Sequence, residues 1–124
     1  MTRRLILSTI ALCLAAGAQA QTWPTKTVRL VAAYAAGGAM DMSARVIAPI
    51  LAESLGQSVV VENRVGGAGL IGAEMVAKSA PDGHTILLYA DAYTIAPSLF
   101  AKMPFDPVKD FIPITQMISG PPPL

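Results

Sequence analysis

Three short apolar runs alternate with two stretches of helical periodicity, and this order constrains the fold more than any other feature of the chain. Residues 28–34, 58–61 and 85–90 are rich in aliphatic and β-branched side chains, which is typical of buried strands. Residues 41–55 and 70–80 lie between them and repeat apolar side chains at helical spacing. A β-α-β-α-β order predicts a parallel sheet covered by helices, and therefore an α/β fold.

The spacing of the apolar residues also predicts which face of each helix packs on the sheet. In the first helix Met42, Val46 and Ile50 recur on one side, with Leu51 beside them. In the second helix Ile71, Met75 and Val76 are expected to face inward. Both helices are therefore expected to bury a stripe of large apolar side chains.

Three residues mark the ends and the interior of the first helix. Asp41 stands where a carboxylate caps a helix or complements its N-terminal dipole. Gly56 is a natural stop. Pro49 lies inside the helix and is expected to kink or loosen it locally.

The first 20 residues have the pattern of a secretory signal peptide. Arg3 and Arg4 precede an apolar run over residues 5–16, and Ala18 and Ala20 are the small residues that signal peptidase recognises. The run is too short for a permanent membrane anchor, which needs about 20 residues. We therefore predict export to the periplasm, with cleavage after Ala20.

Charge, cysteine and histidine content exclude several classes of function. Two of the nine Lys and Arg residues lie in the predicted signal, so the mature chain has seven Lys and Arg against eight Asp and Glu and is nearly neutral. No basic patch indicates that it binds nucleic acid. The only cysteine, Cys13, lies in the apolar run, and Leu12 before it replaces the small residue that lipidation requires. The mature chain would then hold no disulfide and no thiol nucleophile. One histidine, His84, cannot form a histidine metal cluster, and no cofactor is predicted.

The last residues indicate a chain that is truncated. Residues 111–118 form an apolar, strand-like run, and a proline-rich segment follows it with no helix after it. We expect one domain over residues 21–118 and the start of a crossover over residues 119–124.

Three loops follow the carboxyl ends of the predicted strands, at residues 35–40, 63–69 and 91–94. In an open parallel sheet such loops line the crevice where ligands bind. The first two are rich in glycine and lead into helix N-termini, where free N–H groups and the helix dipole favour an anion. The candidate donors for a carboxylate are Gly37, Gly38, Ala39, Gly66, Gly67, Ala68 and Gly69. These glycines would also suit tight turns alone, but two such loops at one edge favour binding.

Side chains beside these loops are weaker candidates. Asp41 is interpreted as a helix cap in preference to a ligand contact. Arg45 is interpreted as a solvated cation, and Arg64 as a better partner for an anion than Arg45. His84 lies in a turn before the third strand, away from the carboxyl ends, and is interpreted as surface structure. The residues at strand ends that could shape a pocket are Tyr34, Asp91 and Tyr93.

One motif supports a different function. Residues 67–72 match the Gly-x-Gly-x-x-Gly fingerprint of dinucleotide-binding units, and Asp91 lies near the place of a ribose-binding acid. Residues 62–66, however, separate these glycines from the strand, and export would remove the chain from the cytoplasmic nicotinamide pool. No acid–base pair or serine triad is visible, so an enzyme is not predicted.

A series of short motifs runs along residues 23–118. In chain order they are Trp23-Pro24-Thr25-Lys26, residues 34–41 with Ala44-Arg45, Leu55-Gly56-Gln57, residues 60–64, the glycine loop with residues 71–74, Ala80-Pro81-Asp82-Gly83 and residues 106–111. Each motif is weak alone. In this order and spacing they resemble the substrate-binding receptors of tripartite tricarboxylate transporters, often called the Bug family.

The resemblance implies a type II periplasmic binding protein whose two domains close on the ligand like a hinged trap. This chain would hold the first lobe of such a receptor, which is not an enzyme and is expected to be a monomer. The ligand would be a small organic acid (a di- or tricarboxylate, an amino acid or an aromatic acid), which the receptor delivers to a membrane permease. Contacts would come from residues 34–40, including Ala36, from residues 66–70 and from residues 91–95.

The chain departs from the family pattern close to these loops. Ala33-Tyr34 replaces a common Pro-Phe pair, Val65 a frequent proline, and Ala96-Pro97 a common Asn-Pro. Residues 66–69 reorder the usual Gly-Ala-Gly-Gly. The resemblance therefore leaves the acid unidentified, and a purely structural exported domain is the remaining alternative beside the dinucleotide-binding unit.

Overall fold

The computed structural model describes residues 22–90, 92–100 and 102–118, and its centre is a three-stranded parallel sheet. The strands are β1 (Val28–Ala32), β2 (Val59–Asn63) and β3 (Thr85–Leu88), in the spatial order β2-β1-β3. Helices α1 (Ala39–Leu55) and α2 (Leu70–Ala77) form the two crossovers, and α3 (Ala92–Leu99) follows β3. The predicted α/β fold is therefore confirmed. The predicted signal peptide, Cys13, Asp91 and residues 119–124 lie outside the described residues.

The central strand, β1, pairs with both neighbours along its length. Val28 lies opposite Val59 of β2, and the register continues to the pair of Ala32 and Asn63. On the other side Arg29 lies opposite Thr85 of β3. Because β1 is flanked on both edges and covered on both faces, four of its five residues are buried, as expected for a central parallel strand.

A helix covers each face of the sheet. Successive side chains of a strand point to opposite faces. Leu30 clusters with Ala44 of α1 and Leu88 of β3, whereas Arg29 reaches the Met75 sulfur of α2. The sheet is thus the middle of three layers.

The helices bury small residues on the sheet and not the large apolar stripes that their spacing indicated. The buried positions are Asp41, Ala44 and Ala48 in α1 and Gly72 and Ala73 in α2. The large side chains that are more than half exposed are Met42, Val46, Ile50 and Ile71. For these four residues the predicted inward face was wrong, because both helices approach the sheet closely and little room remains for a large side chain. Met75 is half-buried and contacts Arg29 of β1, in agreement with its predicted inward position.

The ends of α1 follow the sequence signals. Gly56 adopts the left-handed conformation, with φ of 65°, and so ends the helix as predicted. The helix begins two residues earlier than expected, after Gly38, and it runs unbroken through Pro49.

Two segments after β3 differ from expectation. Residues 92–99 form the short helix α3, where a loop over residues 91–94 was predicted. Residues 111–118 contain no strand, although their apolar pattern predicted one. Met117 packs against the core cluster from this segment, so its apolar character serves packing without strand pairing.

The N-terminal segment is fastened to the turn before β3. The Trp23 indole N–H donates to the Asp82 carbonyl oxygen at 3.0 Å, and the Lys26 ammonium lies 2.8 Å from the Asp82 carboxylate. His84 Nε2 accepts the Thr25 N–H at 3.2 Å. His84 is only 6% exposed, so its interpretation as surface structure was wrong, because the incoming segment covers it.

None of the helices in residues 22–90, 92–100 and 102–118 is both long enough and apolar enough to cross a bilayer.

Gly72 marks the closest approach of α2 to the sheet, since a Cβ there would lie 3.0 Å from the Arg64 carbonyl oxygen and 3.1 Å from the Ala33 Cβ. We predict that Gly72→Leu lowers the free energy of unfolding by about 1–3 kcal/mol through overpacking. This loss opposes the better helix propensity of leucine. Denaturant melts measure it. Ser54→Leu, at an exposed site on α1, is the control and should change stability by less than about 0.5 kcal/mol. Equal melts for the two variants would contradict the close contact.

Candidate functional site

Two loops meet at the carboxyl edge of the sheet. The first loop, residues 33–38, joins β1 to α1, and the second loop, residues 64–69, joins β2 to α2. Because β1 and β2 are parallel neighbours, their following loops lie side by side. This is the arrangement that the sequence predicted for the crevice.

The carboxylate of Asp41 is the centre of a hydrogen-bond network between these elements. One oxygen, Oδ2, accepts the Gly37 N–H at 2.8 Å and the Arg45 Nε–H at 3.0 Å. The other, Oδ1, accepts the Asn63 amide at 3.0 Å. Asp41 is 3% exposed, so both oxygens face protein donors. Asp41 lies in the first turn of α1, where its charge complements the helix dipole as predicted, but the N-cap Gly38 has no side-chain cap and Asp41 accepts the N–H of Gly37, before the helix. The three donors leave little room for a direct ligand contact.

Asn63 is a site residue that sequence reasoning missed. Its amide also donates to the Tyr34 carbonyl oxygen at 3.3 Å, and its side-chain oxygen accepts an Arg45 N–H at 3.4 Å. It is the last residue of β2 and lies opposite Ala32, the last residue of β1. Its place at a strand end beside the first loop was the available signal.

The three donors stabilise the charged form of Asp41. Hydrogen bonding from Arg45, then from the Gly37 N–H and from Asn63, lowers the pKa of Asp41 from 3.8 to about 2. The hydrogen bond to Asp41 and the negative charge of Asp41 in turn raise the pKa of Arg45. Arg45 was interpreted as a solvated cation, and its side chain is indeed 57% exposed, but it is paired with the buried carboxylate.

The second loop requires a backbone that glycine provides. Gly66, Gly67 and Gly69 have φ of 128°, 55° and 93°, and Ala68 between them has φ of 54°. A Cβ at Gly69 would lie 2.5 Å from the Tyr89 ring. The loop is therefore both left-handed and in close contact with an aromatic side chain.

Internal hydrogen bonds occupy some of the predicted anion donors. The Gly38 N–H donates to Ala35 and the Gly69 N–H to Gly66, while the Gly37 N–H is held by Asp41. The predicted donors for which the described part of the chain offers no acceptor are the N–H groups of Ala39, Gly66, Gly67 and Ala68. The seven predicted donors are thus reduced to four, spread over both loops.

A series of aromatic rings lies beside the loops. Tyr34, in the first loop, packs edge-on against Tyr89 with ring centroids 5.6 Å apart, and Tyr89 packs against Tyr93 of α3 at 5.4 Å. The series continues through Phe111 to Phe105. Tyr34 and Tyr93 were predicted to shape a pocket, and Tyr89, which was not predicted, connects them.

Two tyrosine hydroxyls in this series donate to backbone carbonyl groups. The Tyr89 hydroxyl donates to Ala68 of the second loop at 2.5 Å, and the Tyr93 hydroxyl donates to Pro107. Burial raises the pKa of both phenols, which favours the neutral form that donates these hydrogen bonds. Tyr89 thus fastens the second loop to the aromatic series.

Arg64 is less available to an anion than the sequence indicated. Its guanidinium lies 3.3 Å from the Glu62 carboxylate, which also receives two hydrogen bonds of 2.8 Å from Arg29. Both arginines lower the pKa of Glu62, and Arg29 has the larger effect. Ala36 is exposed in the first loop, at the same edge.

Two glycines of the dinucleotide-like motif stand where the fold leaves no room for a side chain. A Cβ at Gly69 would lie 2.5 Å from the Tyr89 ring, and a Cβ at Gly72 would lie 3.1 Å from the Ala33 Cβ. Strand β2 ends at Asn63, so the motif does not begin where the strand ends, as that fingerprint requires. Within the described residues no group of three or more His, Cys, Asp and Glu side chains is placed to hold a metal ion.

Comparison with known proteins identifies the family. Residues 43–124 match the tripartite tricarboxylate transporter family receptor. A UPF0065 protein of Bordetella bronchiseptica is 40% identical over 98% of this chain and 37% of its own length. Protein BugT of Bordetella pertussis is 39% identical over 84% of this chain and 32% of its own length. The chain belongs to the tripartite tricarboxylate transporter receptor family. This is a family of periplasmic solute receptors and not of enzymes, as the resemblance predicted.

Solved structures share the fold. The periplasmic binding protein BugD has a TM-score of 0.69 and 40% identity, over 72% of this chain and 30% of its own. MatC of Rhodopseudomonas palustris, solved with bound malate, has a TM-score of 0.67 and 40% identity, over 72% of this chain and 31% of its own. Rpa4515 of R. palustris, solved with adipate, has a TM-score of 0.64 and 42% identity, over 68% of this chain and 29% of its own. The chain spans about a third of the length of the curated relatives it matches.

The depressed pKa of Asp41 predicts a pH-dependent stability. Because its pKa in the fold lies below its ordinary value, the ionised group stabilises the protein above about pH 4, and this stabilisation is lost as the pH falls towards 2. The Asp41→Asn variant has no charge at this position and therefore lacks the stabilisation by the ionised carboxylate. We expect a lower melting temperature for the variant at neutral pH and a difference from the parent that narrows below about pH 4.

Thermal melts of both proteins across this range measure the difference. The lowered pKa values of Glu62, Asp82 and Asp106 affect parent and variant alike, so they cancel in the comparison. A difference that stays constant down to about pH 2 would show that Asp41 is not stabilised as an anion.

Proposed function

We propose that this chain is the first lobe of an exported receptor that binds a small carboxylate and delivers it to a tripartite tricarboxylate-type permease. The observation that carries the proposal is the convergence of two donor-rich loops at one sheet edge. Asp41 and Asn63 hold the first loop in place, and Tyr89 holds the second. A surface of backbone donors fixed in this way suits an anion.

The remaining donors define where the carboxylate would lie. The Ala39 N–H is at the N-terminus of α1, where the helix dipole favours a negative charge. Gly66, Gly67 and Ala68 offer N–H groups from the second loop. Arg45 and Arg64 are already paired with carboxylates, so the ligand would be held mainly by neutral backbone groups.

The relatives support the class of ligand and the two-lobed form of the receptor. The structures that resemble this chain with about 40% identity include one with bound malate and one with adipate. Since the chain spans about a third of its relatives' length, a second lobe beyond residues 21–118 would close over the acid and supply the other contacts. The permease is the partner that the family description implies.

Gly38 offers a direct test of the first loop. Its backbone is extended, with φ of −78°, a conformation that any residue adopts. A Cβ there would lie 3.2 Å from the Ala35 carbonyl oxygen, so the loop must shift by a few tenths of an ångström to accept a larger residue. We predict that Gly38→Leu in the full-length receptor weakens binding of malate or adipate by more than about tenfold, because the new side chain covers the donors beside it. The change of N-cap residue should cost only about 1 kcal/mol of stability.

Isothermal calorimetry measures the affinity, and a thermal melt checks the fold. Ser54→Leu adds the same side chain at an exposed site remote from the loops and should leave affinity unchanged. Wild-type affinity in Gly38→Leu would contradict the placement of the ligand at the first loop. Failure of the parent protein to bind any small carboxylate would contradict the proposed function itself.

Export gives a second test of the proposal. In a host with a periplasm, we expect the protein in the periplasmic fraction and a mature N-terminus at Gln21, since Ala18 and Ala20 form the predicted cleavage site. Intact-mass spectrometry of the purified protein identifies the first residue. A protein that keeps residues 1–20 and stays in the cytoplasm would contradict export.

A further inference from the structure

We propose that the ligand of this receptor is a carboxylate with an aromatic body, and that its ring packs against Tyr34, Tyr89 and Tyr93. The inference rests on the proposed function, because it requires the two loops to hold the carboxylate. It concerns the part of the ligand that lies beyond the carboxylate.

The aromatic series lies directly beside both loops. Tyr34 immediately precedes the first loop's exposed residues, and its ring centroid is 5.6 Å from that of Tyr89. The Tyr89 hydroxyl reaches Ala68 at 2.5 Å, and its ring lies 2.5 Å from the position of a Cβ at Gly69. An acid seated on the N–H groups of the second loop would therefore have the Tyr89 ring among its neighbours.

The tyrosines offer ring surface to a ligand and few polar atoms. The hydroxyls of Tyr89 and Tyr93 both donate to backbone carbonyl groups. Each of the three tyrosine side chains is partly buried, so the rings are fixed by their neighbours without being sealed in the core. The rings already pack edge-to-face, an arrangement that another aromatic ring extends favourably.

This surface discriminates between kinds of acid. A hydroxylated body such as that of malate would place its polar group against ring carbon, where it loses hydrogen bonds to water. An aromatic body loses none and gains an edge-to-face contact. The expected order of affinity is therefore benzoate first, cyclohexanecarboxylate second and malate last.

The experiment is calorimetry of the full-length receptor with these three acids. We expect benzoate to bind about tenfold more tightly than malate, and Tyr34→Leu to weaken benzoate about fivefold while changing malate less than about twofold. Tyr34→Phe keeps the ring and should keep the preference. Trp23→Leu removes an aromatic ring at the opposite edge of the sheet and is the matched control, with no expected change in the ratio of affinities.

The outcomes separate the two proposals. Carboxylate binding with malate as tight as benzoate would overturn the aromatic preference and leave the carboxylate receptor intact. Equal benzoate losses in Tyr34→Phe and Tyr34→Leu would overturn the role of the ring. If none of the three acids nor adipate binds, the proposed function fails and the inference fails with it. The comparison of ligands on the unaltered protein decides the preference even where a variant does not fold.

Discussion

The carboxyl edge of the sheet depends on one buried negative charge. A carboxylate removed from water is costly unless its oxygens are fully hydrogen-bonded. The donors to Asp41 come from the first loop, from α1 itself and from the end of β2, so satisfying the charge fixes three elements relative to one another. Helix α1 begins after Gly38 without a side-chain cap, and Asp41 in its first turn places a negative charge that complements the helix dipole. The small buried residues Ala44 and Ala48 lie on the same helix face and allow α1 to approach the sheet closely.

Much of the architecture could be predicted from the sequence because its causes are local. The continuous apolar run of β1 identifies a strand buried on both faces, and the alternation of strands with helices implies parallel pairing. The glycine-rich loops could then be placed at one edge, since parallel strands end on the same side. Gly56 ends α1 for a reason that is entirely local, its left-handed backbone.

Other features depend on contacts between residues far apart in the chain, and the sequence did not reveal them. Asn63 acts through Asp41, 22 residues away, and Tyr89 acts through Ala68, 21 residues away. Which glycine N–H groups remain free depends on the path of each loop, so composition alone gave too many donors. Helical spacing located an apolar stripe on α1 but not the distance between helix and sheet, and that distance selected small residues for the buried face. His84 has the sequence context of a surface residue, and only the contact with Thr25 shows that it is covered.

The fastening of the N-terminal segment has a practical consequence for spectroscopy. Trp23 is the only tryptophan of the chain, and it is held at the amino edge of the sheet by Asp82, a residue 59 positions later. It also packs against His84, with ring centroids 5.8 Å apart. Its fluorescence therefore reports whether the first segment has docked onto the turn before β3. The tyrosines beside the two loops lie at the other edge, so the emission of tryptophan reports on a region separate from those loops.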